Sequence, residues 1–409
     1  MRCDLLALVL VLACPGVVAA RSLTVGITGE AGPELDTNAN RIQPIVIPCP
    51  PGEACVNGVC EGSGDSCLVD PEDPVMAGLF RVTGTGRIQL RLGKHALSAA
   101  YGGGGKLFLD EEAQGADEVV HRASAGWAAL LPSSVLSLEG TYYDAYQRSS
   151  QRDFRTGSGL ARLSLGRREE GLAVGGAVGY RGLQYKPLDD YSFHGPVAGL
   201  ELESALTRET TVEVVDWTLS LSYWLGVREF NGVAEGPPLP CAGRPQDLCN
   251  QPSETGRQDL NHVLQVGVDY LGNAEASIWY SLEVNQSNSH GETFTRQVVG
   301  LKFTTGLGAG VFLTTKGVLQ FSRFRDPYLI SRIHTESFTE AITIEDENRS
   351  RIIVQLAREL TPQISLDLRY ALYVGESVTQ AVESRAAQVP GFLRQTVFLG
   401  LRMEYGWST

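Results

Sequence analysis

Residues 215–227 read VDWTLSLSYWLGV. The odd positions carry Val215, Trp217, Leu219, Leu221, Tyr223, Leu225 and Val227. The even positions carry Asp216, Thr218, Ser220, Ser222, Trp224 and Gly226. Successive side chains of a β-strand point to opposite faces, so this stretch makes one apolar face and one largely polar face. A helix would scatter the same apolar residues around its whole circumference. The pattern returns in 364–374, where Ile364, Leu366, Leu368, Tyr370, Leu372 and Val374 alternate with Ser365, Asp367, Arg369, Ala371 and Tyr373. It returns again at Val397, Leu399, Leu401, Met403, Tyr405 and Trp407.

Extending outward from these three stretches, about fourteen such segments follow one another. They centre near Gly103, Gly126, Gly140, Leu160, Gly176, Leu200, Leu221, Val266, Leu282, Gly300, Leu319, Val354, Leu368 and Leu401. Short connections (131–134, 167–171, 207–210, 272–275, 306–310, 361–363) take turns with longer ones (110–118, 148–152, 186–191, 231–256, 288–292, 326–347, 376–391). Short turns at one end and long loops at the other are the pattern of an antiparallel up-and-down barrel that crosses an outer membrane. In hydrocarbon every backbone N–H and C=O needs a partner within the protein, so spanning strands must close on themselves. Aromatic residues near strand ends (Tyr142, Tyr143, Tyr146; Tyr185, Tyr191; Phe321, Phe324; Tyr405, Trp407) are placed as interfacial girdles. Strand-like material just upstream, at 81–83 and 87–92, makes sixteen the alternative count.

Composition fits this class. The chain has 409 residues, 46 of them Gly, and a formal charge of -13. Its mean hydropathy of -0.06 averages a lipid-facing side and a water-facing side. A 43% hydrophobic fraction excludes disorder. No stretch beyond the N-terminus is apolar over the roughly 18–20 residues that a spanning helix needs.

Residues 1–20, MRCDLLALVLVLACPGVVAA, have a minimal basic start, an apolar centre and small residues at Val18-Ala19-Ala20. This is the pattern of a secretory signal. Val11-Leu12-Ala13-Cys14 also has the form of a lipoprotein box, which would lipidate Cys14. Export permits disulfides. Cys49, Cys55, Cys60 and Cys67 are expected to form two small bridges, and Cys241 and Cys249 to pin the loop 231–256. Four cysteines allow three connectivities, and spacing does not choose among them. The organisation read from this is a signal at 1–20, a flexible cysteine-rich periplasmic leader at 21–78, and the barrel at 79–409.

The alternating region and the closing strand FLGLRMEYGW (398–407) resemble bacterial outer-membrane β-barrels of the porin-like type, over about three quarters of the chain. No single family is singled out. The resemblance implies an outer-membrane location, contact with outer-membrane lipid, and a last strand read by the barrel-assembly machinery. Ser408-Thr409 beyond Trp407 departs from the usual terminal aromatic. Periplasmic proteins binding through the leader complete the expected partners; no nucleic acid and no cofactor are expected.

Enzymatic chemistry finds no motif. Gly102–Gly105 followed by Lys106 lacks a phosphate loop's first glycine and its Ser/Thr, since Ala100 and Leu107 stand there. His95, His121, His194, His262, His290 and His334 have no metal spacing. The polar face is more informative. By parity it carries Glu139, Arg162, Glu201, Glu203, Asp216, Asp269, Glu283, Arg296, Lys302, Lys316, Asp367, Arg369, Arg402 and Glu404. Both signs are present, and Asp367 and Arg369 are expected near Arg402 and Glu404. Glu201, Glu203 and Asp216 on adjacent strands imply a mild cation preference. Two functions follow: a channel for solutes or for a polymer such as a polysaccharide, or a plugged barrel that binds partners through its cysteine knob or outer loops.

Overall fold

The computed structural model describes residues 22–39, 45–48, 54–56, 59–61, 66–69, 75–148, 153–167, 171–186, 189–209, 214–241, 244–325, 350–374, 378–382, 385–389 and 393–408. The signal segment and Cys14 lie outside them. Sixteen antiparallel strands close into one barrel. In chain order they are β1 (Ser22–Asp36), β2 (Ala77–Leu92), β3 (His95–Phe108), β4 (Glu118–Leu130), β5 (Ser134–Gln147), β6 (Phe154–Arg167), β7 (Leu172–Tyr185) and β8 (Phe193–Glu209). They continue with β9 (Val214–Cys241), β10 (Arg244–Leu271), β11 (Ala274–Ser287), β12 (Phe294–Gly308), β13 (Val311–Phe324), β14 (Ser350–Thr361), β15 (Ile364–Val374) and β16 (Leu393–Ser408).

The count of fourteen therefore gives way to the alternative of sixteen. The fourteen segments centred from Gly103 to Leu401 are β3 to β16, and the upstream material at 81–92 is β2. The remaining strand is β1, inside the stretch read as leader. It pairs with β16 on one side (Thr24 opposite Ser408) and with β2 on the other (Ser22 opposite Arg91), so it is the strand that closes the barrel. Its alternation is hidden by Gly26, Gly29 and Gly32-Pro33. At Gly32 the backbone passes so close to the Leu399 carbonyl that a Cβ would collide with it. The pairing with β16 skips Gly32 and Pro33, because proline offers no N–H to the ladder.

Placing β1 in the wall also relocates the cysteine-rich segment. Residues 37–76 connect the end of β1 to the start of β2, at the same end of the barrel as the long loops. Their short strands Ile45–Pro48 and Ser66–Val69 join Val378–Val382 and Arg385–Val389, from the connection between β15 and β16, in one four-stranded sheet. Val46 stands opposite Gln388 in it. The first and last long connections thus meet, and the expected periplasmic leader is replaced by a first long loop. Cys55 stands opposite Cys60 in a two-stranded ribbon. Cys49 lies outside the described residues, and the side chains of Cys55, Cys60, Cys67, Cys241 and Cys249 lie outside the described ones.

The loop expected at 231–256 is instead a continuation of β9 and β10, two 28-residue strands whose ribbon rises past the rim. Register shifts break its ladder repeatedly above Glu229. On the backbone ladder Cys241 stands opposite Arg244 and Cys249 opposite Leu239. At the other end the turns are tight: Gly308, Ala309 and Gly310 all take positive φ (89°, 50° and 71°) between β12 and β13.

The outer face is the apolar one. Leu200 is 66% exposed, and Leu219, Leu221, Ile278, Leu301, Leu368 and Leu399 are exposed beside it around the wall. Such a band needs hydrocarbon, not water, against it. Trp217 packs on Tyr270 at 4.9 Å near the short turns, and Tyr405 and Trp407 are exposed at the same end. Toward the long loops, three diagonal cross-strand pairs repeat on the outer face. Tyr101, Tyr180 and Tyr223 each meet the Nδ1 of a histidine on the next strand, His121 at 2.7 Å, His194 at 2.8 Å and His262 at 2.7 Å. Tyr143 and Tyr185, expected in the girdle, are buried and face inward.

Candidate functional site: the inner wall

The wall is graded along its axis. Toward the short turns the inward side chains meet solvent: Glu139, Glu275, Lys302, Arg402 and Glu404 all keep more than a third of their side chain exposed. Toward the long loops the inward side chains are packed. Phe398 is 0% exposed, Arg394 and Lys106 are each 2%, and Leu79, Tyr373 and Phe193 are buried with them. Burying so many charges requires partners, and the wall supplies them in two clusters.

One cluster spans the closing seam. The Nε of Arg394 (β16) donates to Asp36 (β1) at 2.8 Å, and its guanidinium pairs with the same carboxylate. Arg81 (β2) pairs with Glu34 (β1) at 2.5 Å. Arg369 (β15) pairs with Glu30 (β1) at 3.0 Å and lies 4.6 Å from the Phe398 ring centre. Three of the four strands here therefore tie to β1. The expected neighbours of Arg369 were Arg402 and Glu404; its partner is Glu30, 339 residues away in sequence. Asp367 accepts from Gln355 at 2.9 Å, and Arg402 pairs with Glu404 at 3.5 Å.

The other cluster lies on β7 to β12. Glu283 accepts from Asn261 at 2.7 Å, Arg296 at 3.2 Å and Arg228 at 3.4 Å. At the rim, Arg257 pairs with Asp259 at 2.8 Å and Glu292 at 3.0 Å, and stacks 3.9 Å from the Phe230 ring centre. Just below the rim a niche of about 260 Å³ opens in the inner wall. Arg181, Arg228, Arg296, Asn261 and Glu283 line it together with Leu160, Val197, Trp224, Val263 and Val298. Neither Arg181 nor Arg228 was among the residues read from sequence. Both follow the same parity rule, so alternation alone could have reached them.

The remaining sequence-derived residues sit lower. Arg162 joins Glu201 at 2.8 Å and approaches Glu139 at 4.0 Å. Lys302 pairs with Glu275 at 2.6 Å and stands opposite Lys316 in the ladder. Asp269 accepts from Ser277. Asp216 and Glu203 are on facing strands but not in register, since Asp216 stands opposite Thr207 and Glu203 opposite Ser220. With Glu201 held by Arg162, the acidic patch is smaller than its sequence suggests. Among the described residues, no group of three or more His, Cys, Asp or Glu gathers as a metal site.

Above the rim, Glu235 on the β9 extension binds the loop between β11 and β12 through its backbone. Its N–H donates to Ser289 Oγ at 3.0 Å and its carbonyl accepts from the His290 N–H at 2.7 Å. Burial, and the Glu292 carboxylate nearby, push the Glu235 carboxyl above its ordinary pKa.

No family model matches the chain, and no curated protein matches it. Among solved structures, an anion-selective porin from Comamonas acidovorans is similar at 11% identity, over 94% of this chain and 100% of that one, with a TM-score of 0.38. The outer-membrane expressed OmpT of Vibrio cholerae is similar at 9% identity, over 95% and 99%, with a TM-score of 0.37. A bacterial polysaccharide outer membrane secretin is similar at 9% identity, over 95% and 100%, with a TM-score of 0.39. Likeness at this level lends no weight to a substrate. The closed ladder and its apolar outer band make the chain a β-barrel of the kind that crosses an outer membrane.

Proposed function

We propose that the barrel is an outer-membrane channel for small polar and charged solutes. The observation that carries this reading is the graded inner wall: solvated inward side chains at the short-turn end give way to buried, paired charges at the long-loop end. Polar walls replace part of a solute's hydration while the fixed ion pairs keep the wall from trapping it. Packed side chains in the upper zone favour small solutes over a polymer. Purified protein in planar bilayers tests the reading: discrete open steps are expected, with a reversal potential near zero in a KCl gradient because most wall charges are paired. A silent bilayer at every voltage overturns it.

One observation favours a second reading, a plugged barrel that binds partners from its long-loop end. The first and last long connections share a sheet at the long-loop end. Deleting residues 40–74 discriminates the two. Under the channel reading, conductance is already present before the deletion; under the plugged reading it arises only afterwards.

A further inference from the structure

We infer that the niche beside Arg181 is a binding site for a small organic carboxylate with an apolar body, such as an aryl or short alkyl acid. The inference rests on the channel reading for its biological sense, but not for its geometry.

The charge arithmetic is local. Three guanidinium groups, from Arg181, Arg228 and Arg296, face one carboxylate, Glu283. That carboxylate already accepts from Arg228, Arg296 and Asn261. Arg181 has no acceptor among the described residues; its electrostatic neighbours are Arg228, which repels it, and Glu283. The niche therefore holds a surplus of positive charge, and its donor fork has nothing to bind. A guanidinium offers two parallel N–H bonds to a carboxylate, a match that an ammonium lacks.

Shape sets the rest of the ligand. Arg181 stands opposite Gly195 in the ladder, and Gly195 and Gly226 both line the niche. Gly195 lets the backbone pass close to the Val227 carbonyl, and at Gly226 an added Cβ would meet nothing nearer than the Pro196 carbonyl at 3.9 Å, so the missing side chain there leaves room beside the guanidinium. The far wall is apolar: Leu160, Val197, Val263, Val298 and the Trp224 ring, which lies flat over Gly199. An inorganic anion would satisfy Arg181 but leave this wall against water. A neutral apolar solute would do the opposite. The volume of about 260 Å³ is just under the roughly 300–1,000 Å³ of pockets for drug-sized ligands, which limits the ligand to a few carbons or one ring.

The test is calorimetric titration of the full detergent-solubilised barrel with phenylacetate, acetate, 2-phenylethanol and inorganic phosphate. Phenylacetate is expected to bind at least tenfold more tightly than any of the other three. Arg181→Gln should weaken it at least tenfold. Because Arg181 makes no ion pair among the described residues, this variant keeps the Glu283 cluster, and an unchanged thermal transition would show that it folds. Absence of phenylacetate binding, equal binding by Arg181→Gln, or phosphate binding as tightly as phenylacetate each overturns the inference. Bilayer recordings of the same preparation separate it from the channel reading: an open pore without phenylacetate binding sinks the site alone, and binding without conductance sinks the channel alone.

Discussion

At the scale of single residues, the seam pair shows how much depends on partners far apart in sequence. Asp36 is 0% exposed and takes its charge compensation from Arg394. Replacing Arg394 by Leu leaves a buried carboxylate without the cation that is hydrogen-bonded to it. Such a loss costs about 3–5 kcal/mol and should appear as a fall in the temperature at which the barrel loses its compact gel mobility. Adding Asp36→Asn to the same chain should recover part of that fall; no recovery would show that Arg394 acts through packing on Tyr373 instead. Gly199 makes a second case. A Cβ there would sit 2.5 Å from the Trp224 ring. Gly199→Val should destabilise by about 1–3 kcal/mol, as overpacking does, and change the fluorescence of Trp224. Alternation in the sequence assigns Arg369 a face, yet nothing local in it names Glu30 as its partner. That pairing arises only from closure.

At the scale of elements, strands with strict alternation could be read directly, and β9 and β15 are the clearest. β1 could not, for a physical reason: three glycines and a proline thin out its apolar face, and its charges Glu30, Glu34 and Asp36 look like a solvated leader until the barrel surrounds them. The ribbon above β9 and β10 was hidden by its prolines, which also break its ladder. The lipid face makes a firm prediction. Leu200→Arg, near the middle of β8, should cost about 2–4 kcal/mol in a bilayer, measured by urea unfolding in lipid vesicles; a neutral result would place that face out of hydrocarbon. The ribbon makes a prediction about pH. The Glu235 carboxyl has its pKa raised in the folded state, so that state keeps its proton to higher pH than the unfolded one. Its contribution to docking is therefore complete below the ordinary carboxylate range and declines as pH rises through the raised value. Relative to Glu235→Gln, the wild-type protein should lose protection of the Glu235 and His290 amides as pH rises from mildly acid to neutral. Parallel behaviour of the two proteins in hydrogen exchange would refute this.

At the scale of the whole molecule, the outward face and the inward face answer to different solvents, and the two ends of the lumen differ again. Closed backbone pairing removes every edge from the lipid, and the side chains are then free to make the wall open at one end and dense at the other. The sequence carried the periodicity of this arrangement but not its axial gradient. Parity reports which way a side chain points, and only closure decides how crowded the place it points into becomes.

The position of β1 has a consequence for the order of events in assembly. Its partners Arg394 and Arg369 lie more than 300 residues downstream, so the seam is the most distant set of contacts in the chain, and such contacts are the slowest to form. Until β1 meets β16, the growing sheet has two unpaired edges, each a template for wrong pairing and each costly in a bilayer. Closure is therefore expected as the last step, with the salt bridges of Asp36 to Arg394 and Glu30 to Arg369 acting across the seam as a latch. In a pulse-labelling refolding experiment, amides such as Ile27 and Tyr405 at the seam should gain protection after those of the β5–β6 hairpin, and later still in the Arg394→Leu chain.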